Sequence, residues 1–409
     1  MNSRERARRI LNHQEADRPA IDLGSTVTTG TSGWSYRALK RALGLPSEHV
    51  RVQELFQMLA DVDTDVMDAL GVDFVMLPKE NWFFGTHYGP WKPFTFWDGQ
   101  TFNVPVEFDP VVLEDGSLEI PWQPGDPPNT RLPAGGWFFD RIPGRHRDPL
   151  SAEPMPPSEW HFTSTLSEEL LRSQEQRAKE LYASSERSLV AESPAMTPSG
   201  YGDLYWWAIQ MMTEPAYCED YMMRAAEAAA SCIEQYLQAV GDYIDVLAVN
   251  LSDFGTQDRE WFRPELFRDF YVPAWKLCSD VVHRLPGVKT WIHCCGSVPR
   301  LVPYFIDAGI DCLNPVQWTA AGMDLATLKR EYGDQLVFWG GAISTQRTFP
   351  FGTAEQVAVE AQEVLEIMAP GGGYVVNPIH NILPEVPVEN ILALYRMAQA
   401  YRYPSAGAE

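Results

Sequence analysis

Short apolar runs alternate with longer amphipathic segments over the second half of the chain. The runs at 188–192, 244–250, 288–293, 311–314, 335–339 and 374–377 have the length and composition of buried strands. Helical spacing of apolar positions follows at 215–240, 264–284, 298–308, 324–332, 354–368 and 388–401. Such alternation is typical of βα units with a parallel sheet. The number of units favours an α/β fold with a single closed (β/α)8 barrel of the TIM type over an open sheet, and no Gly-x-Gly-x-x-Gly motif follows the first strand.

The first half is less regular. We predict helices at 2–14, 36–43 and 51–60 and strands at 20–24 and 73–77. Residues 80–157 lose helical periodicity and become rich in Trp, Phe, Pro and Gly, with two Asp-Gly hairpin signals at 94–102 and 112–120. We interpret this segment as a β-hairpin-rich aromatic insertion within one domain, residues 1–409. Its aromatic side chains form either a small core of their own or a wall of the active site.

The composition excludes several functional classes. The chain has 409 residues, 45% hydrophobic and 21% charged, with a net charge of −23, so a basic face for nucleic acid or an anionic membrane is not expected. The charged amphipathic N-terminus lacks the apolar core of a signal peptide, and a cytoplasmic location fits six cysteines in so long a chain. Four cysteines lie in predicted helices or strands, where we expect small buried side chains: Cys218, Cys232, Cys278 and Cys312.

Candidate metal ligands stand at the ends of two predicted strands. His293 and Cys295 are two residues apart, so in an extended segment they point to the same side. His380 follows another strand end. Imidazole and thiolate groups are zinc ligands, and three of them leave one position open for a substrate. Since function in barrels of this class lies at the carboxyl ends of the strands, we predict a zinc site there.

Other polar or small residues follow strand ends and are predicted to line the same mouth. Asp253 is a candidate catalytic residue, although it could instead cap the following turn. Asn314 and Gln317 either bind substrate or tie down loop backbone. Gly340 and Gly341 are predicted to allow a close backbone or substrate approach, or a positive φ.

These residues resemble the uroporphyrinogen decarboxylase superfamily, and most closely its zinc-dependent branch, the methylcobamide:thiol methyltransferases. The similarity covers most of the chain and is strongest from Asp253 to Tyr401. It rests on the segments His293-Cys294-Cys295-Gly296, Gly309-Ile310-Asp311-Cys312-Leu313-Asn314-Pro315-Val316-Gln317, Phe338-Trp339-Gly340-Gly341, Gly371-Gly372-Gly373-Tyr374, His380-Asn381-Ile382-Leu383-Pro384 and Pro387-Val388-Glu389-Asn390-Ile391.

The resemblance implies a (β/α)8 barrel and a methyl transfer from a corrinoid, or another donor, to a thiol or similar small acceptor. In that branch a His-x-Cys pair and a later Cys hold zinc. His293 and Cys295 match the pair, whereas His380 stands where the later Cys is expected. His380 is therefore either the third ligand or, without metal, a proton-transfer group. No Asp-x-His-x-x-Gly motif surrounds any histidine, so a corrinoid would come on a separate protein.

The decarboxylase branch matches less well. Its early Arg-rich segment, which grips porphyrinogen carboxylates, is replaced here by residues 23–30, which contain no cation. The alternative function is a metal-free decarboxylase or lyase of the same fold acting on a smaller substrate through His380 and Asp253. A third hypothesis is a non-catalytic subunit of a corrinoid system, and the sequence leaves room for a homodimer.

Overall fold

The computed structural model describes residues 1–142 and 154–403. This part of the chain forms sixteen strands: β1 (Ala20–Ile21), β2 (Val52–Glu54), β3 (Leu59–Ala60), β4 (Phe74–Met76), β5 (Trp91–Thr95), β6 (Thr101–Pro105), β7 (Val111–Val112), β8 (Leu118–Ile120), β9 (Thr130–Leu132), β10 (Asp140–Arg141), β11 (Ser188–Glu192), β12 (Val246–Asn250), β13 (Lys289–His293), β14 (Cys312–Asn314), β15 (Val337–Trp339) and β16 (Tyr374–Val376).

The α-helices of the same ranges flank and connect these strands. They are α1 (Ser3–Leu11), α2 (Gly33–Ala42), α3 (Thr64–Leu70), α4 (Glu168–Ser184), α5 (Leu204–Thr213), α6 (Pro215–Val240), α7 (Pro264–Leu266), α8 (Val272–Val282), α9 (Val302–Asp307), α10 (Leu325–Tyr332), α11 (Thr348–Phe351), α12 (Ala354–Met368) and α13 (Val388–Ala400). A π-helical turn, Phe267–Tyr271, joins α7 to α8. The sequence did not predict α3, α4, α5 or α11.

Eight parallel strands build the barrel in the order β1-β16-β15-β14-β13-β12-β11-β4. The two edge strands meet where the amide of Asp73 donates to the carbonyl of Ile21 at 2.8 Å. The carboxylate of Asp73 accepts the Ile21 amide in return and pairs with Arg6 and Arg18 at 2.7 Å each. Buried ion pairs therefore secure the seam, and the predicted (β/α)8 barrel is confirmed.

The lumen of the barrel has an apolar lower half and a polar upper half. The lower half is one buried cluster, closed from below by Ile10 and Leu11 of α1; its strand residues include Phe74, Val190, Trp291, Cys312 and Val375. Because side chains alternate along a strand, residues two positions further on face the same lumen. On β1, where Ala20 lies in the lower cluster, and on β11, β13, β14 and β16, those residues are Asp22, Glu192, His293, Asn314 and Asn377, all of them buried.

The predicted insertion is rich in hairpins. Strands β5 and β6 pair antiparallel, and β7 to β10 form a four-stranded sheet in the order β10-β9-β8-β7, so both hairpin predictions are confirmed. Trp34 of α2 makes edge contacts with Phe96 and Phe102 at centroid distances of 5.4 and 5.0 Å. Buried aromatic residues of the insertion, including Phe96 and Phe102, thus belong to the same hydrophobic cluster as the helices around the barrel and do not form a separate core. Part of the predicted span, residues 143–153, lies outside the described residues.

The helix predicted at 51–60 is wrong. This segment is the β2–β3 hairpin, in which Glu54 accepts the amides of Phe56 and Gln57 at 2.9 and 2.8 Å. The chain reverses direction within a few residues. Apolar side chains whose spacing along the sequence resembles that of a helix therefore lie on one side of a hairpin instead. Within 1–142 and 154–403, no helix has both the length and the apolar character that crossing a bilayer requires.

Candidate metal centre

The three predicted ligands meet at the barrel mouth. His293 is the last residue of β13, Cys295 lies two residues beyond it, and His380 lies in the loop after β16. One ligand atom of each lies within 4.8 Å of those of the others. The Sγ of Cys295 is 3.2 Å from the Nε2 of His293, and the two imidazole rings are 5.3 Å apart between centroids. The ring planes are inclined by 80°.

These spacings and donor atoms fit zinc. Bond lengths of about 2.0 Å to nitrogen and 2.3 Å to sulfur in a tetrahedron separate neighbouring ligand atoms by roughly 3.3 to 3.6 Å. The 3.2 Å pair is already close to that range, and the upper limit of 4.8 Å needs only side-chain adjustment. Two imidazoles and one thiolate would leave a fourth position open, which is typical of catalytic zinc.

Asn314 sets the orientation and tautomer of the His293 ring. Strand register places Asn314 of β14 directly beside His293. The Nδ2 of Asn314 donates to the carbonyl of Trp339 at 3.1 Å, which leaves its Oδ1 facing the Nδ1 of His293 at 2.7 Å. Because that oxygen is only an acceptor, the Nδ1 of His293 carries the proton. Its Nε2 lone pair is therefore free to bind a metal.

Burial keeps the other two ligands uncharged in the absence of a cation. Burial, followed by repulsion from His293, lowers the pKa of His380 to about 4, so this imidazole is neutral at neutral pH. Burial and then the nearby carboxylate of Asp253 raise the pKa of the Cys295 thiol well above its usual value. A cation at this position would favour the thiolate, which is the form that ligates metals.

Asp253 lies beside the ligands and also braces their loop. Its Oδ1 accepts the amide of Cys295 at 2.7 Å and lies 3.6 Å from the Nε2 of His293. Its side chain is 52% exposed, so the carboxylate reaches both the ligands and solvent. The carboxylate thus supports the Cys295 loop, which differs from the predicted cap of the turn after Asp253, and the catalytic role remains a prediction.

The remaining predicted residues shape the loops around the centre. The Oε1 of Gln317 accepts the amide of Gly296 at 2.8 Å, which ties the ligand loop to the loop after β14. Gly340 and Gly341 both have positive φ, of 87° and 82°. A Cβ on Gly340 would lie 3.1 Å from the Nδ2 of Asn314, so this glycine leaves room for the residue that orients His293. Substrate contact by these residues remains a prediction.

Three functional candidates were missed in the sequence. Glu192 ends β11, and its Oε2 pairs with Lys79 at 2.7 Å. The hydroxyl of Thr28 donates to the Oδ1 of Asn314 at 3.2 Å. Polar residues at the carboxyl ends of strands are functional candidates, and the same criterion applied to β11 would have found Glu192. Applied to β4, which ends three residues before Lys79, it would have found Lys79.

The other cysteines lie outside the ligand group. Cys294 is buried, and its sulfur accepts the amide of Phe254 at 3.3 Å. Cys218, Cys232, Cys278 and Cys312 are buried, as predicted. A cavity of about 520 Å³ also lies apart from the ligands, between the β2–β3 hairpin and α4. None of the three candidate ligands lines this cavity. We therefore place the candidate centre at the cluster.

The structure is a (β/α)8 barrel with a cluster of three candidate metal ligands at the carboxyl ends of its strands. Residues 192–401, more than half of the chain, match the family model described as uroporphyrinogen decarboxylase (URO-D). The chain therefore belongs to the URO-D family.

Comparison with solved structures supports the fold. A methyltransferase from Methanosarcina mazei is similar over 98% of both chains, with a TM-score of 0.56 and 15% identity. The Penicillium canescens endo-1,4-beta-xylanase XylE matches 56% of this chain and 79% of its own, with a TM-score of 0.33 and 12% identity. At these identities the first likeness shows a shared fold and the second carries no argument. No curated protein sequence matches the chain.

Proposed function

We propose that this protein is a zinc-dependent methyltransferase that moves a methyl group from a corrinoid, or another methyl donor, to a thiol or similar acceptor. The observation that carries the proposal is the cluster of His293, Cys295 and His380 at the barrel mouth. Membership of the URO-D family and the fold shared with a methyltransferase support it. When bound, zinc would lower the pKa of the acceptor thiol and stabilise the thiolate for attack on the methyl group.

Each residue around the centre has a separate role in this proposal. His293, Cys295 and His380 hold the metal, and Asn314 fixes the His293 ring through the 2.7 Å contact at Nδ1. The half-exposed carboxylate of Asp253 is placed to accept the proton that the thiol loses and to pass it to solvent. Two neutral imidazoles and one thiolate leave the site more positive than a site with two thiolates, which favours binding of an anionic thiolate.

The methyl donor would arrive on a separate protein if it is a corrinoid, because the chain has no Asp-x-His-x-x-Gly motif. The mouth is the face where such a partner would meet the acceptor. Asp253 marks the accessible side of the centre, since its side chain is 52% exposed whereas that of His293 is only 4% exposed.

The alternative, a metal-free decarboxylase or lyase, is less well supported. It would use His380 as the proton acceptor, but a pKa of about 4 makes this imidazole a weak base at neutral pH. The same neutral imidazole is the form that binds zinc. The lowered pKa of His380, together with its position within 4.8 Å of the other two ligand atoms, therefore favours a ligand role.

Elemental analysis tests the proposal directly. We expect zinc equimolar with the purified wild-type chain and strongly reduced zinc in Cys295→Ser and His380→Ala. Cys294→Ser is the matched control, because Cys294 is the neighbouring residue and its sulfur contacts Phe254 instead. Wild-type protein free of zinc after purification without chelators would contradict the proposal. Zinc-loaded protein should then transfer the methyl group of methylcobalamin to a small thiol.

A further inference from the structure

An ion pair lies at the barrel mouth outside the ligand cluster. Glu192, in the polar half of the lumen, is 5% exposed. Its Oε2 accepts from the Nζ of Lys79 at 2.7 Å, and its Oε1 accepts the amide of Val27 at 3.0 Å. Lys79 is 29% exposed at its side chain. Its ammonium group has three N–H donors, of which Glu192 takes one.

A buried donor without a partner lies beside this ammonium group. The Nζ of Lys79 is 4.5 Å from the ring centroid of Trp82. The indole of Trp82 is 6% exposed, and its Nε1 donates to no group in residues 1–142 and 154–403. A buried N–H that lacks an acceptor destabilises a fold by roughly 1 to 3 kcal/mol. An oxygen acceptor at this place would satisfy the indole N–H and lie near the ammonium group.

The pair is connected to the metal centre through one loop. Val27, whose amide binds Glu192, is followed by Thr28, whose hydroxyl binds Asn314. Asn314 in turn orients His293. The surface beside the donors is apolar, since Val27, Met76 and Trp82 form a buried cluster with Leu251 against it. A short aliphatic chain could lie along this surface.

We propose that Lys79 and Trp82 bind an oxygen atom of the methyl acceptor and so position its sulfur at the metal centre. This inference rests on the proposed function and adds a substrate class: a short-chain thiol that carries a carbonyl-type oxygen. Glu192 already balances the charge of Lys79, so a neutral carbonyl fits the two donors without adding a net charge to the mouth. A carboxylate offers the same kind of acceptor oxygen. An amide and a carboxylate can be distinguished by comparing the binding of matched thiols.

The indole N–H of Trp82 provides a direct measurement of binding. In protein labelled with ¹⁵N-tryptophan, the resonance of Trp82 is the one lost in Trp82→Phe. We expect 3-mercaptopropionamide to shift this resonance saturably, and 1-propanethiol, which lacks the oxygen, to leave it in place. Thiol-free propionamide should shift it at higher concentration, in zinc-loaded and zinc-stripped protein alike. Comparison of 3-mercaptopropionate with the amide shows which oxygen is preferred.

Variants of the ion pair separate recognition from folding. Lys79→Met alone leaves Glu192 buried without its cation, so the double variant Lys79→Met/Glu192→Gln keeps the charge balance. We expect the double variant to bind 3-mercaptopropionamide about tenfold more weakly, because one hydrogen bond from a charged donor is lost. Lys276→Met, which removes an exposed lysine paired with Asp280 on α8, should bind normally.

The outcomes distinguish this inference from the zinc proposal. A Trp82 resonance that ignores all oxygen-containing probes, or that moves equally with 1-propanethiol, would overturn the oxygen site. Unchanged affinity in the double variant would do the same. If zinc is absent from the protein but propionamide still shifts Trp82, the metal proposal fails while the oxygen site stands.

Discussion

The two halves of the barrel lumen are built by the same strands and have opposite chemistry. On β13, Trp291 lies in the apolar lower cluster, and two residues later His293 is a candidate metal ligand. On β14, Cys312 and Asn314 show the same change. Since residues two apart face the same side of a strand, one register serves both halves. The comparison teaches that one strand register places the packing side chains below and the polar groups above.

Hydrogen bonds within the upper half and from the lower half offset the burial of polar groups in the upper half. The indole of Trp339, in the apolar cluster, donates to the Oδ2 of Asp22 at 2.9 Å. The Nδ2 of Asn377 donates to the carbonyl of Asp22 at 3.1 Å. Buried polar groups without such partners would be strongly destabilising. Asp22, Trp339 and Asn377 are therefore linked by hydrogen bonds across the boundary between the two halves.

The largest expected effect comes from the lower half. Phe74→Ala should destabilise the protein by about 3 to 5 kcal/mol, because Phe74 is fully buried and packs on Trp339 at a centroid distance of 4.4 Å. Urea denaturation followed by circular dichroism measures the loss. The zinc content per folded chain should equal that of the wild type. Loss of zinc from the folded variant would show that the two halves are not separable.

Sequence periodicity accounts for much of this comparison. The strand at 188–192 and the helices at 215–240 and 354–368 agree with β11, α6 and α12 at every residue. Periodicity succeeds there because burial on one or both faces imposes a regular pattern. It failed at 51–60, where Glu54 accepts two amides within a turn, a local hydrogen-bonding pattern that apolar spacing does not report.

The sequence predicted the three candidate ligands but not the residues that hold them in place. His293, Cys295 and His380 were predicted together from their positions at strand ends, and the structure brings them together. The contact of Asn314 with His293 depends on the register of β13 and β14, and the pairing of Glu192 with Lys79 spans 113 residues. Pairings of this kind arise from tertiary packing, which one sequence does not specify locally.

An intermediate effect is expected from the residue that orients His293. Asn314→Leu should weaken zinc binding by about 10- to 100-fold, because the Nδ1 of His293 loses its acceptor. Competition with a chromogenic chelator measures the affinity. Asn377→Leu is the matched control, since Asn377 is equally buried but its amide binds the carbonyls of Asp22 and Thr29. Equal zinc affinities in the two variants would refute a specific role for Asn314.

The smallest effect is a pH dependence outside the barrel wall, near the amino ends of β13 and β14. The Nε2 of His283 lies 2.8 Å from the Oδ2 of Asp311, which also accepts the amide of Thr290 at 2.8 Å. The hydrogen bond to Asp311 raises the pKa of His283 above its usual 6.5, although burial and Lys289 oppose the shift and Asp280 assists it. The same contact helps to hold the pKa of Asp311 below its usual value against burial.

Since the folded protein binds the His283 proton more tightly than the unfolded chain, the stabilisation is complete below the unfolded pKa of 6.5 and is lost as pH rises through the folded value. The thermal midpoint of the wild type should therefore exceed that of His283→Gln at about pH 5.5, and the difference should shrink by about pH 8.5. Asp311 does not confound this range, because its lowered pKa matters only in acid. The effect should be modest, since the side chain of His283 is 37% exposed. This ion pair does not contact the three candidate ligands, so zinc content should be the same in both proteins at each pH. A difference in zinc content between them would show that the centre responds to changes outside the barrel wall.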